Sequence, residues 1–125
     1  MVGFITGLAG VILWTAVDRF SEMRRFYVET LQLRPHSDRP RRVNFVWGGV
    51  RLTLAVHDSV AGTNPDPLRV MVNLEVTDID LAHLHLIEAG VPCLRSPESE
   101  SWGGKVATYV DPDGNVVQLL ELSPN

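Results

Sequence analysis

Cysteine is nearly absent from this chain of 125 residues, since Cys93 is the single one. An internal disulfide is therefore impossible, and the cysteine pairs typical of small secreted folds are missing. The first 17 residues carry no charge, whereas a signal peptide begins with basic residues and a membrane-spanning helix needs about 20 apolar residues. We therefore expect a cytoplasmic protein that does not span a membrane, and we favour this over a cleaved signal peptide.

The sequence also lacks the patterns that mark nucleotide and nucleic-acid binding. It contains no glycine-rich phosphate loop of the Walker or dinucleotide type and no basic stripe. The formal net charge is −4, which disfavours non-specific binding to nucleic acid or to an anionic membrane. Neither is therefore an expected partner.

What the chain does contain is typical of a globular protein. Apolar residues make up 45% of it and charged residues 21%, and its length suits one domain with its own core. The sequence therefore predicts a single domain over residues 1–125.

The clearest local pattern is the closing stretch YVDPDGNVVQLLEL, from Tyr109 to Leu122. Proline presets φ, glycine supplies positive φ, and aspartate side chains bond their own backbone, so Asp111–Asn115 predicts a tight hairpin turn. The strand that follows alternates, which places Gln118 on the face opposite Leu119.

The first half predicts a strand, a helix and a hairpin. We expect Val2–Ala9 to be a loose extension or an extra edge strand, and Val11–Val17 to be a buried strand. Apolar residues recur at helical spacing from Phe20 to Leu31, and Leu33–Arg42 is typical of a loop or a ragged edge. Gly48-Gly49 then predicts a hairpin between Val43–Trp47 and Val50–His57.

The second half repeats this order after a connection over Asp58–Pro67, with an offset of 58 to 59 residues. We predict a helix stopped by Gly90 and a loop before the closing hairpin. The predicted segments are a strand over Val70–Val76, the helix over Ile79–Ala89, an extended piece over Val91–Arg95, the loop over Ser96–Gly104, and strands over Lys105–Val110 and Val116–Leu122.

Three stretches resemble the vicinal oxygen chelate superfamily, which includes glyoxalase I, extradiol dioxygenases and bleomycin-resistance proteins. They are VDRFSEMRRFYVETLQL, VNLEVTDIDLAHLHLIEAGV and YVDPDGNVVQLLEL. The resemblance implies an α+β fold of two βαβββ modules, over residues 11–58 and 68–122. It also implies that their strands form a curved, cup-shaped mixed sheet with helices on the outer face, and that the protein is a homodimer.

Enzymes of this superfamily hold a divalent metal in the cup, and the resemblance carries their ligand positions onto four residues here. These positions are Ile12, a residue near Thr53, Met71 and Gln118. Isoleucine cannot ligate, a thioether does not suit hard cations, and a glutamine carbonyl is uncharged. We therefore expect neither the usual metal nor another cofactor.

Strand parity predicts which side chains line the cup, and their mixture of aromatic, polar and charged groups is typical of a small-molecule site. The alternative is a solvated sheet face with no ligand. The predicted ligand-binding residues are Ile12, Trp14, Arg51, Thr53, Met71, Asn73, Glu75 and Gln118.

The histidines and the cysteine carry weaker signals. His83 and His85 point about 200° apart on a helix, so they cannot share a ligand. We expect His83 to join helix to sheet, His85 to face solvent, and His57 to lie at the surface or at the cup rim. Cys93 fits a buried, inert thiol. The residues leave the roles of Trp47 and Trp102 open.

Two functional classes therefore remain. The first is a metal-free binding protein that sequesters an aromatic or cationic small molecule, with Trp14 stacking, Glu75 pairing a cation, and Asn73 and Gln118 orienting the ligand. The second is a lyase, isomerase or dioxygenase with a displaced metal site, or a metal-free catalyst with Glu75 as general base. The sequence does not decide whether the protein is an enzyme.

Overall fold

The protein is described by a computed structural model that covers residues 3–122. The chain divides between Gly62 and Thr63 into two compact units. Each unit contains one four-stranded mixed sheet with the element order βαβββ. The predicted α+β fold with two such modules is therefore confirmed.

The first unit has the strand order β1-β4-β3-β2, with β1 parallel to β4 and the other pairs antiparallel. Helix α1 packs on β4. Met23 and Tyr27 on the helical side and Val43 and Leu54 on the sheet are all buried. The elements are β1 (Gly10–Thr15), α1 (Phe20–Arg25), a π-helical turn (Phe26–Thr30), β2 (Ser37–Arg39), β3 (Arg42–Trp47) and β4 (Val50–Val56).

The second unit repeats this plan with the strand order β5-β8-β7-β6, and β5 is parallel to β8. Helix α2 packs on β6, β7 and β8, which buries Ile79 and Leu86 on its sheet-facing side. The elements are a 3-10 turn (Pro67–Arg69), β5 (Met71–Glu75), α2 (Ile79–Glu88), β6 (Cys93–Ser99), β7 (Lys105–Val110) and β8 (Val116–Glu121).

The predicted first strand exists, but the expectation that it is buried is wrong. The side chains of Val11, Ile12 and Trp14 are 39%, 44% and 42% exposed. β1 is the edge strand of its sheet and pairs only with β4, on which α1 also packs. An apolar run therefore indicated a strand correctly without indicating what covers it.

Other predicted segments differ in detail from the structure. The segment Leu33–Arg42, predicted as a loop or a ragged edge, contains the short edge strand β2. The predicted loop over Ser96–Gly104 begins only after β6 ends at Ser99. Pro97 lies within β6, where it is tolerated because β6 is an edge strand with shifts in its register. The helix over Phe20–Leu31 is π-helical from Phe26 onward.

Residues 3–9 form neither an α-helix nor a β-strand, and they are exposed. The alternative of an extra edge strand is therefore wrong for these residues, while Val2 lies outside the described part of the chain. Within residues 3–122, no helix is long and apolar enough to cross a membrane.

The predicted closing turn is confirmed in detail. Asp111 accepts hydrogen bonds at its Oδ1 from the backbone N–H groups of Asp113 and Asn115, both at 2.9 Å. Its Oδ2 accepts from Asn115 Nδ2 at 2.9 Å. The backbone adds a bond from Gly114 N–H to the Asp111 carbonyl at 2.9 Å. This turn determines where β8 starts, and β8 carries Gln118.

Candidate functional site

The strands of the first unit bring four alternating side chains into one row across the sheet. Ile12 pairs with Thr53, Thr53 with Asn44, and Asn44 with Ser37. Directly paired residues share a face of the sheet, so two predicted ligand-binding residues, Ile12 and Thr53, lie side by side. We call this side of the first sheet the first polar face.

A hydrogen-bond chain connects the polar members of this row. The Thr53 hydroxyl donates to Asn44 Oδ1 at 2.6 Å, and Asn44 Nδ2 donates to Ser37 Oγ at 2.8 Å. Thr53 is only 2% exposed, so its hydroxyl proton is used inside the protein. Thr53 therefore orients Asn44, which is not among the predicted ligand-binding residues.

Trp14 and Arg51 lie on the same face toward opposite ends of the strands. The indole of Trp14 meets the imidazole of His57 edge-to-face, with ring centroids 5.1 Å apart, and His57 Nδ1 accepts a bond from the Ser59 N–H at 3.0 Å. His57 is exposed, and its ring packs against the ring of Trp14. Arg51 lies beside Gly10, where a β-carbon would lie 2.1 Å from the Arg51 carbonyl oxygen, so only glycine lets β1 approach β4 here.

The second unit contains a corresponding row, from Asn73 through Gln118 and Thr108 to Arg95. Gln118 Nε2 donates to Asn73 Oδ1 at 2.9 Å. A side-chain amide has two donor hydrogens and an oxygen with two lone pairs. The Gln118 oxygen and the Asn73 nitrogen therefore retain hydrogen-bonding capacity. We call this side of the second sheet the second polar face.

Met71 and Glu75 lie on either side of Asn73 along β5, and both are exposed. Met71 pairs with Val116 and Glu75 with Leu120, so each lies in a row of its own beside the Asn73–Gln118 row. Asn73 and Gln118 are thus in direct contact. Met71 adds an apolar group on one side of this amide pair, and Glu75 adds an anionic group on the other side.

The residues at the four metal-ligand positions do not fit a divalent cation. Ile12 has no donor atom, the Thr53 hydroxyl is committed to Asn44, and Met71 offers only a thioether. Gln118 has a neutral oxygen. Within residues 3–122, no group of three or more His, Cys, Asp or Glu side chains could hold a metal ion.

Of the two histidines on α2, His83 joins helix to sheet, as predicted. His83 Nδ1 lies 2.7 Å from the hydroxyl of Tyr109, which is 1% exposed. Burial raises the pKa of Tyr109 to about 12. This pair packs beneath α2, on the side of the second sheet opposite Gln118, because Tyr109 pairs with Val117.

Sequence reasoning missed the role of Glu121. Its Oε1 accepts a hydrogen bond from the Ile79 N–H at 2.9 Å, and Asp78 Oδ1 accepts from Leu81 N–H at 3.1 Å. Two carboxylates therefore cap the first turn of α2, where the helix dipole favours negative charge. The Asp78 cap could have been found from its position before an apolar run, but the Glu121 cap depends on a contact 42 residues distant.

The two tryptophans without assigned roles lie in different settings. Trp47 is the last residue of β3 and is 49% exposed. Trp102 is 51% exposed, and its ring packs on Gly104, where a β-carbon would lie 1.9 Å from the indole. Trp102 therefore covers the start of β7, and Trp47 leaves an indole surface open to solvent.

Two sheets in βαβββ units, each with a polar face opposite its helix, define a known class of protein. The model of the Glyoxalase/Bleomycin resistance protein/Dioxygenase superfamily matches residues 11–119, and the chain belongs to this superfamily.

Individual relatives agree with this assignment. A bleomycin resistance protein of Klebsiella pneumoniae is 42% identical over 33 residues, which are 26% of each chain. The match thus spans about a quarter of that curated relative. The structure of a glyoxalase family protein from Bacillus anthracis has 21% identity and a TM-score of 0.75, covering 97% of this chain and 98% of its own. TnmS3, an antibiotic binding protein from Streptomyces sp. CB03234, has 26% identity and a TM-score of 0.69, covering 98% of this chain and all of its own.

Proposed function

We propose that this chain is a metal-free binding protein that sequesters an aromatic or cationic small molecule on its polar faces. The observation that carries the proposal is the amide pair of Asn73 and Gln118, bonded at 2.9 Å. Gln118 stands where the family resemblance places a charged ligand of the metal. A neutral amide pair binds a guest by hydrogen bonds and holds a divalent cation poorly.

Trp14 supports the aromatic part of the proposal. Its side chain is 42% exposed, and the edge contact with His57 restricts the ring without covering both faces. An indole held in this way can stack on a flat guest at low cost in side-chain entropy, and a cation over its face adds a cation–π attraction.

Glu75 supports the cationic part. It is exposed on the second polar face, one row away from Gln118. Its carboxylate can pair with an ammonium group of a guest, while the thioether of Met71 offers an adaptable apolar contact. The names of two relatives, a bleomycin resistance protein and an antibiotic binding protein, agree with a small-molecule ligand.

Naphthylmethylammonium, a flat aromatic cation, is the probe for this proposal. The three tryptophans give separate indole N–H resonances, which single Trp→Phe variants assign. We expect the cation to quench tryptophan fluorescence and to shift the Trp14 resonance. Trp14→Phe and Glu75→Gln should each weaken its binding, by about two- to fivefold. Trp102→Phe is the matched control, and it should leave the affinity unchanged.

Metal analysis of the purified protein completes the test. We expect less than stoichiometric divalent metal after purification without chelator. A bound metal at one equivalent would overturn the metal-free proposal. A cation affinity that is the same in Trp14→Phe and Glu75→Gln as in the unaltered protein would overturn the proposed ligand contacts.

We also propose that the protein is a homodimer, as the family resemblance implies. Exposed apolar side chains support this, since Phe4, Ile5 and Leu8 are 92%, 78% and 66% exposed. Burying such residues in an interface would stabilise a dimer by the hydrophobic effect. Light scattering coupled to size exclusion should give twice the chain mass, and a monomer at micromolar concentration would contradict the proposal.

A further inference from the structure

A pocket of about 340 Å³ lies in the first unit, at the end of β3. It contains none of the predicted ligand-binding residues. One wall comes from the segment that links the π-helical turn to β2, and the other from the last two residues of β3. The lining residues are Gln32, Leu33, Arg34, Pro35, His36, Val46 and Trp47.

The backbone around this pocket has two unusual features. Residues Phe26–Thr30 form a π-helical turn, and Gln32 has φ 60°, the single positive value among the non-glycine residues of the described chain. Such a conformation costs about 1–2 kcal/mol relative to an ordinary one. π-helical turns and strained residues are both frequent at functional sites. Here the π-helical turn ends two residues before Gln32, and Gln32 lines the pocket.

After the π-helical turn and Gln32, the chain runs beside β3. After Gln32, the segment runs antiparallel to β3, and the His36 N–H donates to the Asn44 carbonyl at 2.7 Å. Ser37 then pairs with Asn44, so residues 33–36 extend beyond the paired region and flank Val46 and Trp47. The pocket is therefore held by backbone hydrogen bonds on its β2 side.

The walls combine an aromatic surface with positive charge. Trp47 is 49% exposed and Val46 is 36% exposed, and Leu33 and Pro35 are half-buried. The lining includes Arg34 and His36 but no Asp or Glu. The nearby acid Asp38 is already engaged by both Arg24 Nε and Arg24 Nη2, whereas Arg34 has no ion-pair partner among residues 3–122.

We propose that this pocket binds an aromatic carboxylate, with the ring against Trp47 and the carboxylate on the guanidinium of Arg34. Arginine offers a planar pair of N–H donors that matches the two oxygens of a carboxylate. The volume lies near the lower end of the range for small-molecule sites, about 300–1,000 Å³, and therefore suits a molecule of one or two fused rings. The pocket contains none of the residues proposed to bind the cation, although Val46 pairs with Arg51 and therefore lies at one end of the first polar face. Its ligand has the opposite charge to the one proposed there.

Naphthoate is the probe, because it has the ring system of naphthylmethylammonium and the opposite charge. Titration followed by indole N–H resonances should shift Trp47 and leave Trp14 unmoved. Neutral naphthylmethanol should bind at least about fivefold more weakly than naphthoate, since it lacks the charge-assisted bond. Trp47→Phe should weaken naphthoate binding, and its backbone amide spectrum verifies that the variant is folded.

Arg34→Gln is the decisive variant, and Arg41→Gln is its control. Arg41 pairs with exposed Asp58 at 3.0 Å and does not line the pocket, so both variants remove one positive charge. Arg34→Gln should weaken naphthoate binding by about fivefold or more, whereas Arg41→Gln should not change it. Equal affinities in these two variants, or a naphthoate response at Trp14 instead of Trp47, would overturn the proposal. Neither outcome depends on whether the cation binds near Trp14.

Discussion

Replacing Asp111 with alanine tests how the closing turn stabilises the second unit. Asp111 is 4% exposed, and its carboxylate accepts three hydrogen bonds, two from backbone N–H groups and one from the Asn115 side chain. Bonds to a charged acceptor contribute about 1.5–3 kcal/mol each, and a buried N–H left without a partner costs about 1–3 kcal/mol. The turn is half-buried, so water can replace part of the lost bonding, and the loss should be smaller than the sum of the three bonds. We therefore expect Asp111→Ala to lower the free energy of unfolding by about 3 kcal/mol.

Asp111→Asn separates the geometry of this turn from its charge. The asparagine oxygen can still accept from Asp113 N–H and Asn115 N–H, so we expect a loss of about 1 kcal/mol. Asp58→Ala is the control, since the partner of Asp58 among residues 3–122 is the exposed Arg41, and it should change stability by less than about 0.5 kcal/mol.

Urea unfolding followed by circular dichroism measures all three variants, and Asp111→Ala should also lower the Tm by about 10 °C. If Asp111→Ala unfolds within 1 kcal/mol of the unaltered protein (roughly the net value of one ordinary hydrogen bond), the reasoning about this turn is wrong. It is also wrong if the asparagine variant is as unstable as the alanine variant.

Three further predictions concern strain and titration. Gln32→Gly should stabilise the chain by about 0.5–1 kcal/mol in urea unfolding, because glycine adopts φ 60° without strain but loses more entropy on folding. Tyr109→Phe should cost about 1 kcal/mol at neutral pH through loss of the His83 contact. Because the folded pKa of Tyr109 is raised to about 12, stability should fall as pH rises from about 10 to 12, and the variant should lack this decline. The bond from Arg24 holds the pKa of Asp38 below its usual range, so Asp38→Asn should cost less than about 1 kcal/mol at pH 7, and the cost should vanish as pH falls below about 4.

Each of these predictions has its own control or contrary outcome. Gly90 ends α2 with φ 79°, so Gly90→Ala should destabilise the protein, opposite in sign to Gln32→Gly. If the Gln32→Gly variant is less stable than the unaltered protein, the entropy that glycine loses on folding outweighs the backbone strain that it relieves. An alkaline decline that persists in Tyr109→Phe would assign that decline to another group. A cost of Asp38→Asn that is the same at pH 3 and pH 7 would exclude an electrostatic origin.

Much of the fold was predictable because local chemistry determines it. The Asp111–Asn115 turn, the Gly48-Gly49 hairpin and the stop at Gly90 each follow from a few adjacent residues. Apolar periodicity predicted α2 and the strands β5, β7 and β8 with small errors at their ends. The edges were less predictable, since β2 and the outer part of β6 contain polar residues and a proline, and both strands form only because a neighbour pairs with them.

The candidate site was predictable in part. Strand parity placed Ile12 and Thr53 on one face, and Asn73 and Gln118 on another, and the register of the sheets agrees with both placements. Parity says which side a residue faces but not what it bonds, so the Thr53–Asn44 bond did not follow from it. The binding of any ligand by these residues stays a prediction.

The sequence by itself determined the order of elements, the turns and the face on which each strand residue lies, because these depend on neighbours along the chain. Only the tertiary structure decided that β1 is an exposed edge, that Glu121 caps a helix begun 42 residues earlier, and that residues 32–36 enclose a pocket with Trp47. These features depend on pairing between distant segments, and the free energy of such pairing is not encoded in any single stretch of sequence.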